Sequence, residues 1–308
     1  MTLLRTACAF TTSALLCAGA ASAQDAGLST NPSAGVELFA STDSDHTDVV
    51  KLLAKGAFLD DGADRYIGLA AERAWFAPQG QHTRKDERFY VEAGDRAGSN
   101  LLWRARLGTD GRSWLGSGSL RAKDWSKEVF LEREIVETPR GVDEGIYYTF
   151  VGASLDLPAS KHDIFTATAG VQEFTGRNER LHLRGSYVRV IQPKLGLTAQ
   201  LRARYFHSTV PGEFDYYSPK NFFQLLPLLQ MRRFTASGWM VLGAAGYGAQ
   251  RATGSDWQSA KLAEVRVESP RSAKGFKLFG QVQYSNNSLS GSGNYDYVMG
   301  RFGVSARF

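Results

Sequence analysis

Apolar and polar residues alternate with a period of two along most of this chain. Leu195, Leu197, Ala199, Leu201, Ala203 and Tyr205 share one face of an extended segment, with Gln200, Arg202 and Arg204 on the other. Phe276, Leu278, Gly280, Val282 and Tyr284 oppose Lys277, Gln281, Gln283 and Ser285. Phe165, Ala167, Ala169 and Val171 oppose Thr166, Thr168 and Gln172, and Trp103, Ala105 and Leu107 oppose Arg104 and Arg106. A strand sends successive side chains to opposite faces, so each of these segments has one greasy face and one polar face. About sixteen such segments recur, near 35–41, 48–58, 66–76, 88–96, 101–109, 113–122, 127–137, 145–157, 163–174, 180–191, 195–207, 221–233, 239–251, 258–268, 276–286 and 295–308. The interval is about 18 residues, which suits a ~10-residue membrane strand and its connection. Between them lies turn chemistry, as at Asp60-Asp61-Gly62, Asp110-Gly111, Pro193-Lys194 and Thr253-Gly254-Ser255. Segments 127–137 and 180–191 alternate imperfectly, and Arg133 and Arg189 would face lipid unless a bulge intervenes.

The last segment shows the pattern most clearly. Phe308, Ala306, Val304, Phe302, Gly300 and Val298 fall on one face, and Arg307, Ser305, Gly303, Arg301 and Met299 on the other. A terminal strand ending in Phe with aromatics at alternate positions resembles the closing strand and assembly signal of bacterial outer-membrane β-barrels. The expected fold is therefore all-β, a transmembrane antiparallel β-barrel of about sixteen strands over 35–308. Trp75, Trp103, Trp239 and Tyr284 near strand ends fit aromatic girdles. An even strand number puts both ends on the periplasmic side. Turns near 60–64, 97–100, 158–160, 192–194 and 269–275 then face the periplasm. The longer connections 78–87, 138–144, 208–220 and 287–294 face outward, as the barrel rule requires. A soluble β-sandwich is the rival architecture, and it needs both inner faces apolar.

Residues 1–23 read as a secretory signal peptide: Arg5, an apolar run through Leu15 and Leu16, then Ala21-Ser22-Ala23 before Gln24. Residues 24–34 follow as a periplasmic lead. Both cysteines, Cys8 and Cys17, fall in the removed segment, which excludes thiol, disulfide and cysteine–metal chemistry from the mature chain. The net charge of +5, with 22% charged residues of mixed sign, is not that of a nucleic-acid binder. Mean hydropathy is -0.27. A β-barrel reads as polar by that measure, because only alternate residues meet lipid.

The most distinctive local sequence is Phe214-Asp215-Tyr216-Tyr217-Ser218-Pro219-Lys220-Asn221-Phe222. Pro219 fixes its own φ and holds Ser218 extended. The Tyr216-Tyr217-Ser218-Pro219 motif before a late strand resembles the carboxy-terminal barrel of bacterial exopolysaccharide export porins, the outer-membrane components of cellulose and poly-N-acetylglucosamine secretion. That resemblance spans about residues 33–308 and implies sixteen strands and a polysaccharide substrate. It implies as partners outer-membrane lipid, the barrel-assembly machinery and an inner-membrane glycan synthase. The chain departs from the family by lacking a tetratricopeptide superhelix, so either a separate periplasmic scaffold supplies that part or the chain belongs to a barrel-only branch. No cofactor or metal is expected.

In such a barrel the polar faces form a lumen mixing Arg104, Arg106, Arg121, Arg202, Arg204, Arg232, Arg266 and Arg301 with Glu92, Glu128, Glu132, Glu134, Glu264 and Glu268. A wall of this kind can hold sugar hydroxyls weakly at many points, as conduction requires. Tyr216 and Tyr217 would be exposed and free to stack on pyranose rings. The competing reading of each residue is structural: the charges pair to brace the wall and the tyrosines pack their loop. Two other functions stay open, a general or solute-specific diffusion porin and a barrel hydrolase. For the hydrolase, His207-Ser208-Thr209 offers only a weak His-x-Thr pair. The chain contains no G-x-S-x-G motif, and Gly246-Tyr247-Gly248 does not complete a dinucleotide loop.

Overall fold

A computed structural model describes residues 32–61, 65–272, 275–288 and 294–308. The expected signal peptide, its cleavage site and most of the lead segment lie outside the described residues. The strands are β1 (Ser33–Asp43), β2 (Asp48–Asp60), β3 (Tyr66–Ala77), β4 (Arg84–Ala97), β5 (Leu101–Thr109), β6 (Trp114–Ala122), β7 (Lys127–Ile135) and β8 (Tyr147–Pro158). They continue as β9 (Asp163–Phe174), β10 (Glu179–Gln192), β11 (Leu197–Ser208), β12 (Asn221–Phe234), β13 (Met240–Ala252), β14 (Gln258–Glu268), β15 (Lys277–Ser288) and β16 (Asn294–Arg307). Each pairs antiparallel with its neighbours in sequence, and β16 pairs with β1 from Ser33↔Arg307 to Asp43↔Tyr297, closing the cylinder. The sixteen-stranded antiparallel barrel expected from the alternation is the observed fold.

Register carries the two faces round the ring, with shifts at the strand ends between Ala57 and Leu59 and between Val190 and Gln192. Leu38 pairs with Phe302 and with Leu52, and all three are exposed apolar side chains of the outer belt. Glu37, one position away, is buried and faces the bore. The same belt includes Leu69, Phe89, Leu107, Val129, Val151, Val171, Leu183, Leu229, Val265 and Val282. Closure satisfies every strand's hydrogen-bonding edge, so lipid meets side chains alone.

Pro227 tests that rule from the middle of β12. The β12–β13 ladder passes from Leu225↔Ala249 to Leu228↔Gly246 and skips Leu226 and Pro227. Proline has no N–H to give, and small residues accommodate the gap. A Cβ on Gly248 would lie 2.1 Å from the Leu225 carbonyl oxygen.

The start of β4 needs correction, and the structure places the two arginines that seemed irregular. β4 begins at Arg84 rather than 88, so the connection after Ala77 is shorter than supposed. The charged run Arg84-Lys85-Asp86-Glu87 reads as a loop in one dimension. In the barrel Asp86 points into the bore, while Glu87 meets Arg73 on the outside at 3.5 Å. Arg133 does face outward and no bulge relieves it. It lies two residues from the end of β7, its Nη1 donating to Thr149 Oγ1 (2.9 Å) and its Nη2 to Ser113 Oγ (3.2 Å). Arg189 sits at the opposite rim beside Asp163 (3.3 Å), next to a β10 bulge between Val190 and Gln192. Both reach the membrane–water boundary with a charged head on an apolar stem.

The belt predicts an asymmetry between neighbouring faces. Val265→Arg, on the outer face at mid-strand, should lower folding stability in lipid vesicles by about 2–4 kcal/mol. Ser117→Arg, whose side chain opens into the bore, should change it by under about 1 kcal/mol. Equal costs in a denaturant titration would contradict the assignment of faces.

Candidate functional site

The candidate site is the bore, whose inward positions form three unlike arcs. On β2 to β7 the wall is a dense ion network around Arg88, which is almost completely buried. Its guanidinium reaches Glu72 (2.9 Å), Asp86 (2.5 Å), Glu137 (3.3 Å) and Glu134 (3.9 Å), and Lys51 pairs with Glu137 from the far side. Arg106 forms an ion pair with Glu92 (3.1 Å) and lies over the Tyr90 ring (3.6 Å). Arg121 stacks on Trp125 (3.2 Å), and Glu132 accepts the Tyr148 hydroxyl. Arg104 and Glu128 face inward on the same arc.

On β9 to β13 the character changes. Inward positions carry Arg180, His182, Arg184, Arg202, Arg204 and Arg232, and no carboxylate on any of the five strands. Arg202 donates to Gln200 Oε1 from Nε (3.2 Å) and Nη2 (3.0 Å). Arg204 has the Phe206 and Phe222 rings beside it, both at 5.6 Å, and Arg232 lies 6.0 Å from Phe234.

From β12 to β16 the wall carries glutamines among an apolar cluster of Leu226, Leu228, Leu242 and Leu262. Gln224, Gln230, Gln250, Gln258, Gln281 and Gln283 occupy inward positions, with Ala244, Gly246, Gly248 and Ala260 among them. Gln224 donates to Gln250 Oε1 and Gln281 to Glu264 Oε1, both at 2.9 Å. Charges here are paired: Arg266 with Glu268, Lys277 with Glu268 (2.7 Å), and Arg301 with Glu37 across the closing seam.

Two loops at the rim opposite the chain ends turn into the mouth. Residues 136–146 contain a single helical turn, α1 (Pro139–Glu144), capped by Thr138 and ended by Gly145 at φ 69°. A Cβ on Gly141 would lie 1.9 Å from the Val136 carbonyl oxygen, so only glycine allows the fold-back. Val142 packs against Val49, Ala74 and Phe76, and Asp143 accepts from Arg84 (2.7 Å). The second loop, 209–220, meets the first at Asp215, which accepts from Thr138 Oγ1 (2.6 Å) and the Arg140 N–H (2.8 Å). Tyr216 stacks on Phe174 with ring centroids 4.3 Å apart and accepts from Asn178 Nδ2 (2.8 Å). Arg180 donates to the Tyr217 carbonyl (2.6 Å). The joined loops thus form a strap from Lys51 on β2 to Arg180 on β10, eight strands apart in a ring of sixteen.

Burial overturns one expectation about the Tyr-Tyr-Ser-Pro motif. Tyr216 is 4% exposed and Tyr217 packs edge-on against Phe206 and Phe222, so neither ring is presented as a free platform. The tyrosines instead fasten their loop, as does Ser218, whose Oγ accepts the Gly212 N–H (2.9 Å). Phe308 is exposed at the rim, its N–H bonded to the Pro32 carbonyl (2.9 Å). His207 bonds Asn221 (2.9 Å) at the rim of the outer face. Arg88, Arg180, Arg184 and Asp215 were not among the residues picked from sequence. The parity of Leu181 and Leu183 would have placed Arg180 and Arg184 inside. Two hollows in the wall, one beside Leu183 and Phe223 and one beside Leu69 and Phe89, open on the lipid face and are not part of the bore.

No family model and no curated protein sequence matches this chain. Among solved structures it is similar to a "bacterial polysaccharide outer membrane secretin", with TM-score 0.67 and 12% identity over 89% of this chain and 98% of that one. The outer membrane protein OprD from Pseudomonas aeruginosa (TM-score 0.43, 7% identity, 90% and 94% covered) and the CymD monoaromatic hydrocarbon channel (0.45, 6%, 90% and 88%) are more distant. At these identities the likeness is one of fold. With a closed sixteen-stranded wall and an apolar outer belt, the protein is an outer-membrane β-barrel.

The strap's anchors generate two predictions. Arg88→Met leaves Glu72, Asp86, Glu134 and Glu137 facing one another without their shared cation, which should unseat loop 136–146. Protease cleavage within 136–146 and a larger single-channel conductance should report it; unchanged values in both would contradict the anchoring role. The second prediction concerns pH. The hydrogen bond from Arg84 holds the Asp143 pKa below its ordinary value. For Glu213, burial pulls upward but the Arg177 and Asn178 N–H groups prevail and the pKa is lowered. A lowered pKa means the tether is present above the unfolded value and lost as pH falls through the folded one. Loop cleavage should therefore rise only below about pH 4.

Proposed function

We propose that this barrel is the outer-membrane conduit for a secreted polysaccharide, with the chain ends on the periplasmic side and the strap at the cell surface. The observation that carries this reading is the amide wall of β12–β16. Gln224, Gln230, Gln250, Gln258, Gln281 and Gln283 place neutral donors and acceptors on successive strands, with small residues and the leucine cluster of Leu226, Leu228, Leu242 and Leu262 between them. A sugar chain presents hydroxyls in every direction, and such a wall exchanges hydrogen bonds with it without holding any one unit tightly. The polymer would run along this wall, beside the strap. A solved structure similar to this one in fold is described as a polysaccharide outer membrane secretin, which agrees with the reading. In this scheme synthesis at the inner membrane drives export, a periplasmic scaffold bridges the gap, and the barrel contributes no bond chemistry. The barrel-assembly machinery would insert it in the outer membrane.

Deleting the chain from its host should abolish surface polysaccharide and trap glycan in the periplasm, and re-expression should reverse both. Surface glycan unaffected by deletion, together with slowed uptake of small solutes, would sink the proposal in favour of a diffusion porin.

A further inference from the structure

Several cations on the outer face are answered within the protein. Arg73 meets Glu87 at 3.5 Å and Arg189 meets Asp163 at 3.3 Å. Arg133 donates to Thr149 Oγ1, Ser113 Oγ and the Trp114 carbonyl. The arc β12–β14 differs. Phe223 pairs with Arg251 and Tyr247 with Lys261, and all four side chains are exposed on the face that carries Leu225, Leu229 and Val265. Arg251 gives its Nε to the Ser255 carbonyl (3.2 Å) and, like Lys261, makes no ion pair among the described residues. Asp256, in the turn from β13 to β14, is exposed and pairs with neither. Trp257 stands beside it at the rim, edge-on to Phe223 with ring centroids 6.0 Å apart.

Depth gives this arrangement its meaning. Lys261 lies three residues inside β14, and a cation on the lipid face is disfavoured the further it sits from the water boundary. The membrane itself must supply the opposite charge. Tyr247 and Trp257 are the ring types that collect at the headgroup level. Chain ends in the periplasm, the orientation proposed above, set this rim in the outer leaflet.

We propose that Arg251 and Lys261 dock the phosphates of a phosphorylated glycolipid of the outer leaflet, with Tyr247 and Trp257 beside its headgroup. The inference goes beyond the conduit reading, because it takes from that reading the orientation alone and nothing about the cargo. Arg251 stands four residues from Tyr247 along β13, about 13 Å, and Lys261 lies next to Tyr247 on β14. Two long side chains so spaced fit a headgroup with a phosphate at each end better than one with a single phosphate. Arginine brings a planar fork and lysine a point charge, and both suit phosphate oxygens. Below them Leu229, Val265 and Val282 are exposed and apolar, a surface for the acyl chains of the same lipid.

The test titrates the full chain in detergent micelles and reads bound lipid by native mass spectrometry. Diphosphoryl lipid A, monophosphoryl lipid A and phosphatidylglycerol are the lipids, and inorganic pyrophosphate is the free anion. Diphosphoryl lipid A should half-saturate the protein at about one-tenth of the concentration that either other lipid needs. The Arg251→Gln/Lys261→Gln double variant should cut that preference to about twofold, while Lys85→Gln, an outward cation on β4, should leave it unchanged. Equal binding of the three lipids, or a preference that the double variant keeps, overturns the site. Pyrophosphate that displaces the lipid at equal concentration assigns the pair to small anions and overturns lipid docking. A dimer that lipid does not dissociate and Tyr247→Ser does makes the arc a contact between two copies, which overturns it as well. Orientation is read separately. Gln81→Cys, in an exposed turn of the same rim, should react with a membrane-impermeant thiol reagent on whole cells. No reaction overturns the orientation and the outer-leaflet assignment together, whatever the lipid titration shows.

Discussion

Hydrocarbon offers no partner to a peptide N–H or C=O, so a sheet that crosses a membrane must satisfy its own edges. In this protein that requirement comes down to one seam, where Ser33–Asp43 pairs with the final strand along its length. Closure sets the strand number and the antiparallel order. It also requires an even parity that brings Leu38 against Phe302 and turns Glu37 toward Arg301 inside. Departures from regularity are placed where closure tolerates them. The bulges of β2 and β10 lie at the rim near the chain ends, and the proline of β12 is matched by glycines on its neighbour.

Once the cylinder is closed, most charge away from the rims lies in its interior, and those charges sort by how they are held. Arg88 survives burial because four carboxylates surround it, and those carboxylates survive because Arg88 and Lys51 lie among them. This network also seats the loop 136–146 through Glu137, so wall electrostatics and the shape of the mouth are one problem. Across the bore Arg204 has the Phe206 and Phe222 rings beside it, and Arg202 donates to the Gln200 amide.

Much of the architecture was legible from residue alternation. β11, β15 and β16 each read as a ribbon with one apolar face, and the structure keeps their faces as read. The run Arg84–Glu87 was not legible, because charges on both faces of a strand look like a loop until the neighbouring strand supplies Arg73 and the bore accepts Asp86. Arg133 and Arg189 seemed to break the alternation. They obey it at the rims, where an outward guanidinium reaches polar partners. Arg180 and Arg184 were passed over for the same reason, since β10 is less regular than its neighbours.

Period-two patterning, turn residues and the spacing of segments determined by themselves that this chain forms a ring of about sixteen strands with lipid outside and polar groups within. Those are local properties: each follows from which face a side chain takes on its own strand. What lines up across the bore is set by distant parts of the chain and was decided only on closure. Asp215 meeting Thr138, Tyr216 turning inward to stack on Phe174, and the gathering of acids around Arg88 all join segments far apart in sequence. Alternation says whether a residue faces the bore, but the contact it makes there depends on shear, strand count and the way two loops fold back. Only the closed cylinder specifies those.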